Sequence, residues 1–457
     1  MKEKIKNLLN IFRSSKILPS NNVMEMFYFL IVDLFFNYKD FSFSQLKIFN
    51  FLVEFGYVKR KFFSDRIVFK NLILFDYIIY TFGDKGIARG TSFNRSEALG
   101  KCLGEIIERI PFRRANFYPR DLTTSLNQLK KEKKRYFDFE LLPKATKKQK
   151  DLDSRLNYNE DSIFEWSEVL SYAKKHFLYI PKQLLYWDFY SKTPEKILRE
   201  LNTNGLASSY SEEGAIKSAL FECLQRHIFF SAWYFPEKNI VTEVDLESIF
   251  SVHKNLKVLY EDIAVNMLEY RIFRIKSNIS DVFEVYFCII NNKITEGVYL
   301  GCSGGDDTYL TIERSIQEAL SIYTFTNRAL YNGEGLPSYV NVETNNFASG
   351  IEGNHRVIWW GHFLDEEAKN ILSFFLGSSK EKYIQKKLKK KILFETVVRE
   401  FGDFFYRVSE HHINKIITHY SVVVVLPNSY TLTLKESIAT PVLNEMYPQN
   451  TKAHPFP

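Results

Sequence analysis

Cysteine is scarce in this chain. Its 457 residues contain four, Cys102, Cys223, Cys288 and Cys302. No two stand as C-x-x-C, so there is no zinc-site spacing. Two of them fall on predicted core helices, and all four read as reduced thiols of a cytoplasmic protein. Long apolar runs are also missing. The stretch 26–36 is interrupted by Asp33 and the stretch 72–82 by Asp76, and both fall short of the ~20 residues a spanning helix needs. Residues 1–20 carry basic side chains but only a short apolar stretch and no cleavage site, which argues against a signal peptide. Neither a Walker A loop nor a kinase glycine-rich loop is present, so any nucleotide site must be of another kind. Charge of one sign is not concentrated either. The formal net charge is +7, small for this length, and lysine clusters only at 130–150 and 380–391. The second cluster alternates with Tyr383, Ile384, Leu388 and Ile392, as on a solvated helix face rather than a nucleic-acid patch. His411, His412 and His419 lack acidic or cysteine companions at ligand spacing and read as structural or surface residues.

What is present is enough apolar material for a sizeable core: 45% of residues, with 41 Phe and 27 Tyr. The length allows two to four domains, or one large domain with additions. Residues 1–75 form a Phe-, Leu- and Lys-rich lead-in, and 76–457 form the main body. Strands are predicted at 66–70, 73–80, 177–181, 184–190, 270–275, 282–290, 297–302 and 420–426. Residues 128–160 read as a polar surface loop, and 366–391 as a long helix. Asn94 followed by Glu97 marks one helix start, which Pro111 ends or kinks. Ser211 caps a second helix, and the turn 301–307 opens a third. Helices and strands in separate runs define an α+β class with mixed and antiparallel sheets.

These three helices share a spacing. The first carries Ala98, Lys101, Glu105, Glu108 and Arg109; the second carries Ala215, Ser218, Glu222, Gln225 and Arg226; a weaker third carries Thr311, Arg314, Glu318 and Ser321. Residues three and four apart share a helix face, so each Glu holds the same phase of an amphipathic helix. Surface ion pairing worth ~0.3–0.5 kcal/mol per pair is the commoner explanation of any one helix taken alone. Three copies in phase ask for more. Converging carboxylates repel, at ~4 kcal/mol for 4 Å and an effective dielectric of 20, and a hard cation such as magnesium relieves this while keeping positions for phosphate oxygens. Arg109, Arg226 and Lys101 would then face phosphates.

At these residues the chain resembles the YcaO family, from about Gly83 to Pro457. The segment 98–109 looks like the family's first ATP/Mg motif. Thr203-Asn-Gly-Leu-Ala with 213–226 looks like the second, and Ser315-Ile-Gln-Glu-Ala-Leu320 like the third. Trp166 and Pro181 sit where its linking segment has them. The resemblance implies a YcaO-type fold with three helices converging on ATP and Mg2+. It places Glu105, Glu108, Glu222 and Gln225 on the metal, and Lys101, Arg109, Ser218, Arg226 and Glu318 on the nucleotide. The implied reaction is phosphorylation of a backbone amide oxygen in a ribosomal precursor peptide. A Cys, Ser or Thr side chain attacks the preceding carbonyl, and phosphate leaves as a thiazoline or oxazoline closes. The ending Ala453-His-Pro-Phe-Pro457 resembles the stiff proline tail of azoline-forming members, which gives Pro457, with Arg226, a catalytic role.

The chain departs from the family pattern at Ser209-Tyr210, where Gly-Asn is usual, at Gly214 and Gln225, where acids are usual, and at Ser321 and Tyr323. Two alternatives therefore stand beside the cyclodehydratase: a scaffold subunit without catalysis, and a thioamide- or amidine-forming enzyme. Residues 1–75 are too short for an E1-like recognition domain, so a separate E1-like partner is expected. A flavin-dependent dehydrogenase and a homodimer are compatible with the reading; nucleic acid and membrane are not expected partners.

Overall fold

The structure is a computed structural model. It describes residues 57–81, 87–113, 121–145, 147–186, 196–198, 202–331, 372–373, 375–385, 387–413 and 417–430, together with Gln45, Ile48, Phe49 and Leu52. Pro457 and its proline tail lie outside the described residues. The chain divides into two units: Met1–Arg66 with Phe75–Ile106, and Ile67–Leu74 with Ile107–Pro457.

The first unit carries a sheet in the order β1 (Val58–Val68), β2 (Ile73–Thr81), β3 (Ile87–Ser92). Helix α1 (Arg95–Arg113) follows. The Asn94 side chain accepts from the Glu97 backbone N–H at 3.0 Å, the expected cap. Pro111 lies inside the last turns of the helix. Ala98, Leu99, Cys102, Leu103, Ile106 and Ile107 are all buried, as the 3.6-residue period predicted.

The second unit begins with β4 (Leu122–Ser125), α2 (Leu126–Lys131) and α3 (Lys147–Leu152). The predicted surface loop at 128–160 therefore carries short helices. It also carries Phe137, Phe139, Leu142 and Leu156, which are buried; Phe139 stacks on Trp166 at 5.6 Å. The Lys-rich composition concealed these few aromatics. Strands β5 (Ile163–Ser171) and β6 (Phe177–Pro181) pair antiparallel, with Trp166 opposite Pro181. The predicted strand at 184–190 is overturned at its start: Lys182–Leu184 is a 3-10 turn. The turn puts the fully buried Lys182 ammonium 2.8 Å from Asp121 and 3.4 Å from Glu165. Residues 187–190 lie outside the described residues.

Strand β7 (Leu206–Ser209) leads into α4 (Glu212–Tyr234), capped by Ser211 at 3.2 Å from Gly214 N. Then come β8 (Ile240–Asp245), α5 (Leu246–Val252), α6 (Lys254–Ala264), β9 (Leu268–Lys276), β10 (Glu284–Asn292), β11 (Val298–Gly305) and α7 (Thr308–Tyr331). The turn expected from 301 narrows to Asp306 and Asp307, because Gly304 and Gly305 remain extended opposite Val285 and Glu284 of β10. Strand β12 (Lys380–Lys382), helix α8 (Leu393–Phe401), β13 (Phe405–Ile413) and β14 (Ile417–Val425) complete the described chain. The long helix predicted for 366–391 is overturned at β12, which pairs parallel to β8. Charges hold it there: Glu381 lies 2.8 Å from Lys276 across the sheet.

Among the described residues the second unit has two sheets, ordered β11-β10-β9-β8-β12 and β4-β5-β13-β14-β7, with β6 also on β5. Helix α4 packs against β14 and β7 of one and β11, β10 and β9 of the other. This explains why apolar side chains on more than one of its faces are buried, among them Ala215, Leu220, Phe229 and Trp233. Helix α7 packs on β11 and β10.

Candidate functional site

Among the described residues, each of the three motif helices follows the edge strand of a sheet: α1 follows β3, α4 follows β7, and α7 follows β11. An edge strand has backbone N–H groups without a strand partner, and a buried donor must be satisfied. In each case the motif Glu does this. In the first unit, Glu105 Oε2 accepts from Arg89 N of β3 at 2.5 Å. In the second, Glu222 Oε2 accepts from Gly205 N, just ahead of β7, at 3.2 Å. Glu318 Oε2 accepts from Cys302 N of β11 at 2.9 Å. The in-phase glutamates are thus one device, used three times to close a strand edge with its own helix.

Glycine permits the close approach. A Cβ on Gly301 would lie 2.1 Å from Ser315 O and 2.4 Å from Ala319 N of α7. Gly205 adopts φ +81°, open to glycine at little cost.

In the first unit, Lys101 pairs with Glu97 at 3.0 Å and donates to Thr91 O at 3.2 Å. In the second, α1, α4 and α7 supply groups that act on one another. Burial pushes the Glu222 carboxyl up to about 7; Arg226, the Gly205 N–H and Arg109 oppose the rise, and Glu318 adds to it. Arg109, Arg226 and Glu318 are therefore each within electrostatic reach of Glu222. Glu108 is half-buried on α1. The Cys302 thiol is raised by burial and by Glu318.

Other predicted residues fare differently. Gln225 donates through Nε2 to Cys302 O at 2.7 Å and accepts at Oε1 from Gly304 N at 3.2 Å. Both ends of its amide are on the backbone of β11. Ser218 is exposed on α4. At Gly214, a Cβ would lie 2.7 Å from Ser211 Oγ and 2.8 Å from Ser209 Oγ, so an acid there would require these two serine hydroxyls to shift. Tyr323 packs edge-on against Tyr299 at 5.0 Å. Among the described residues no three His, Cys, Asp or Glu side chains form a metal cage.

Asn204 is a residue that sequence reasoning left out. It is 4% exposed. Its Nδ2 lies 3.8 Å from Cys223 Sγ, and its Oδ1 is buried with no hydrogen-bond partner. A polar atom in that state invites a ligand. Its place in Thr203-Asn-Gly ahead of the second motif helix was the available signal. This orphaned acceptor, two carboxylates and two guanidinium groups fit magnesium with a polyphosphate. Magnesium takes one or two carboxylates and completes its shell with phosphate and water, so no three-carboxylate cage is required.

The fold and this set of groups define an α+β protein with a carboxylate–guanidinium centre built on strand–helix units. Residues 89–388 match the family model described as YcaO cyclodehydratase, ATP- and Mg2+-binding; the chain belongs to the YcaO family. Solved structures agree on the fold. A YcaO protein from Methanopyrus kandleri bound with AMPPCP and Mg2+ is 15% identical at a TM-score of 0.60, covering 89% of this chain and 95% of that one. The E. coli microcin synthetase McbBCD complex with pro-MccB17 bound is 13% identical at 0.61, covering 87% and 96%. A heterocyclase in complex with substrate and cofactor is 15% identical at 0.60, covering 80% of this chain, which spans 49% of that protein's length. No curated protein sequence matches the chain. Among the described residues no helix is long and apolar enough to cross a membrane.

Proposed function

We propose that this chain is an ATP-dependent cyclodehydratase subunit that converts Cys, Ser or Thr residues of a ribosomal precursor peptide into thiazolines or oxazolines. The observation that carries the reading is the environment of Glu222, shared by Arg109, Arg226 and Glu318 from three separate helices. Glu222 and Glu318 would hold magnesium, with Glu108 added by the family resemblance alone. Arg109 and Arg226 would orient the phosphates, since guanidinium forks match their geometry. Asn204 Oδ1, an acceptor, would face the cation or a water bound to it rather than the phosphate oxygens. Bound there, ATP supplies the phosphoryl group that makes an amide oxygen a good leaving group. The residues' work is positioning and charge neutralisation, as in other phosphoryl transfers. Glu105, Lys101, Ser218 and the Pro457 carboxylate enter through the family resemblance alone, as does the assignment of residues 76–457 to the catalytic part. A separate E1-like protein would deliver the precursor in the cytoplasm, where the four free thiols stay reduced. A flavin-dependent dehydrogenase would oxidise the rings.

Purified chain, partner and cognate precursor should release phosphate from ATP, and the peptide should lose one water per ring by intact mass. No turnover, together with no thermal shift by Mg-ATP, would sink this reading. A second reading, a scaffold subunit of the same complex, is favoured by Gln225, whose amide is committed to β11. It requires partner binding without Mg-ATP binding, which isothermal titration separates.

A further inference from the structure

The acid expected at position 225 is an amide, and the structure gives that amide a task a carboxylate performs poorly. We infer that Gln225 is a positioning residue that straps β11 to α4, holding the Glu222 and Glu318 helices in register through hydrogen bonds where a second carboxylate would need a cation. This rests on the magnesium site proposed above.

The strap is specific in chemistry. Cys302 O can only accept and Gly304 N can only donate, so the group between them must carry both a donor and an acceptor. Gln225 does so, at 2.7 and 3.2 Å. The space is shaped for it. A Cβ on Gly304 would lie 3.0 Å from Gln225 Cβ and 2.4 Å from the Phe283 ring. Residue Cys302 is gripped from two helices at once: its carbonyl by Gln225 of α4 and its N–H by Glu318 of α7. Helices α4 and α7 are therefore linked through one edge-strand residue. A Glu at 225 would keep the bond from Gly304 N, lose the one to Cys302 O, and set a third carboxylate beside Glu222 and Glu318. A cation at the proposed site would relieve that repulsion.

Hydrogen exchange of the intact chain, read at single-residue resolution around 302–304 with and without Mg2+, tests this. The native protein should exchange slowly at Gly304, with little change on adding Mg2+. Gln225→Met, which removes both bonds at similar volume, should raise exchange at Gly304 about tenfold regardless of Mg2+. Gln225→Glu should raise exchange across 302–304 without metal and recover protection with Mg2+. Native-like protection in both variants without metal would overturn the strap. Loss of protection in both, with no recovery of Gln225→Glu in Mg2+, would leave the strap standing and overturn the magnesium site instead.

Discussion

Glu222 carries the clearest consequence at the scale of single residues. Its folded-state value of about 7 lies above the ordinary 4.5. The folded protein therefore holds an extra proton between those two pH values. Stability is greatest at the acid end of that window and falls as pH rises through it, by on the order of 3 kcal/mol. Glu222→Gln keeps an acceptor for Gly205 N and removes the titration, so it should flatten this slope in denaturant melts taken from pH 4.5 to 7.5. A bound divalent cation favours the carboxylate. Mg-ATP binding near pH 6.5 should thus release protons from the native protein and fewer from Glu222→Gln, as calorimetry in buffers of different ionisation heat would read. Lys182 gives a second expectation. Its ammonium is fully buried between Asp121 and Glu165. Breaking a buried pair by removing one partner strands the other charges, so Lys182→Met should cost about 3–5 kcal/mol in urea unfolding. An unchanged midpoint would mean the pair is wetter than the structure has it.

At the scale of elements, the unit is an edge strand, a tight turn and a helix whose Glu reaches back to the strand. Its tolerances are set by contact distance. Gly301→Ala would force a methyl group into the α7 backbone and should destabilise by about 1–3 kcal/mol, the usual cost of overpacking. The same change should loosen exchange protection at the Cys302 amide, whose acceptor rides on α7. Ser211→Ala should cost ~1 kcal/mol as the lost cap of α4, with no effect on β11.

For the whole molecule, the proposed ligand site draws on α1, α4 and α7, so occupancy should stabilise the fold it ties together. Mg-ATP at a hundred times its dissociation constant should add ~2.7 kcal/mol of apparent stability. ATP with a chelator should add far less. Equal shifts with and without magnesium would remove the metal from the account while leaving nucleotide binding in place.

The helices were legible from the chain because helical phase is a local property. The buried stripe of α1, the caps at Asn94 and Ser211, and the shared phase of Glu105, Glu222 and Glu318 all follow from spacing within about twelve residues. The α+β class followed from the order of runs. Sheet order was not legible, since a strand's neighbours depend on distant segments. That is why β12 hid inside a Lys-rich stretch read as helix, and why Phe137 and Phe139 hid inside a predicted loop. The same limit governs the site. Sequence put acids in phase, but only tertiary structure decided that each would spend an oxygen on a strand edge, that Gln225 would bind both a carbonyl and an N–H of β11, and that Asn204 would be left with a buried acceptor. Periodicity travels along the chain; hydrogen-bond partners on an open sheet edge are chosen across it.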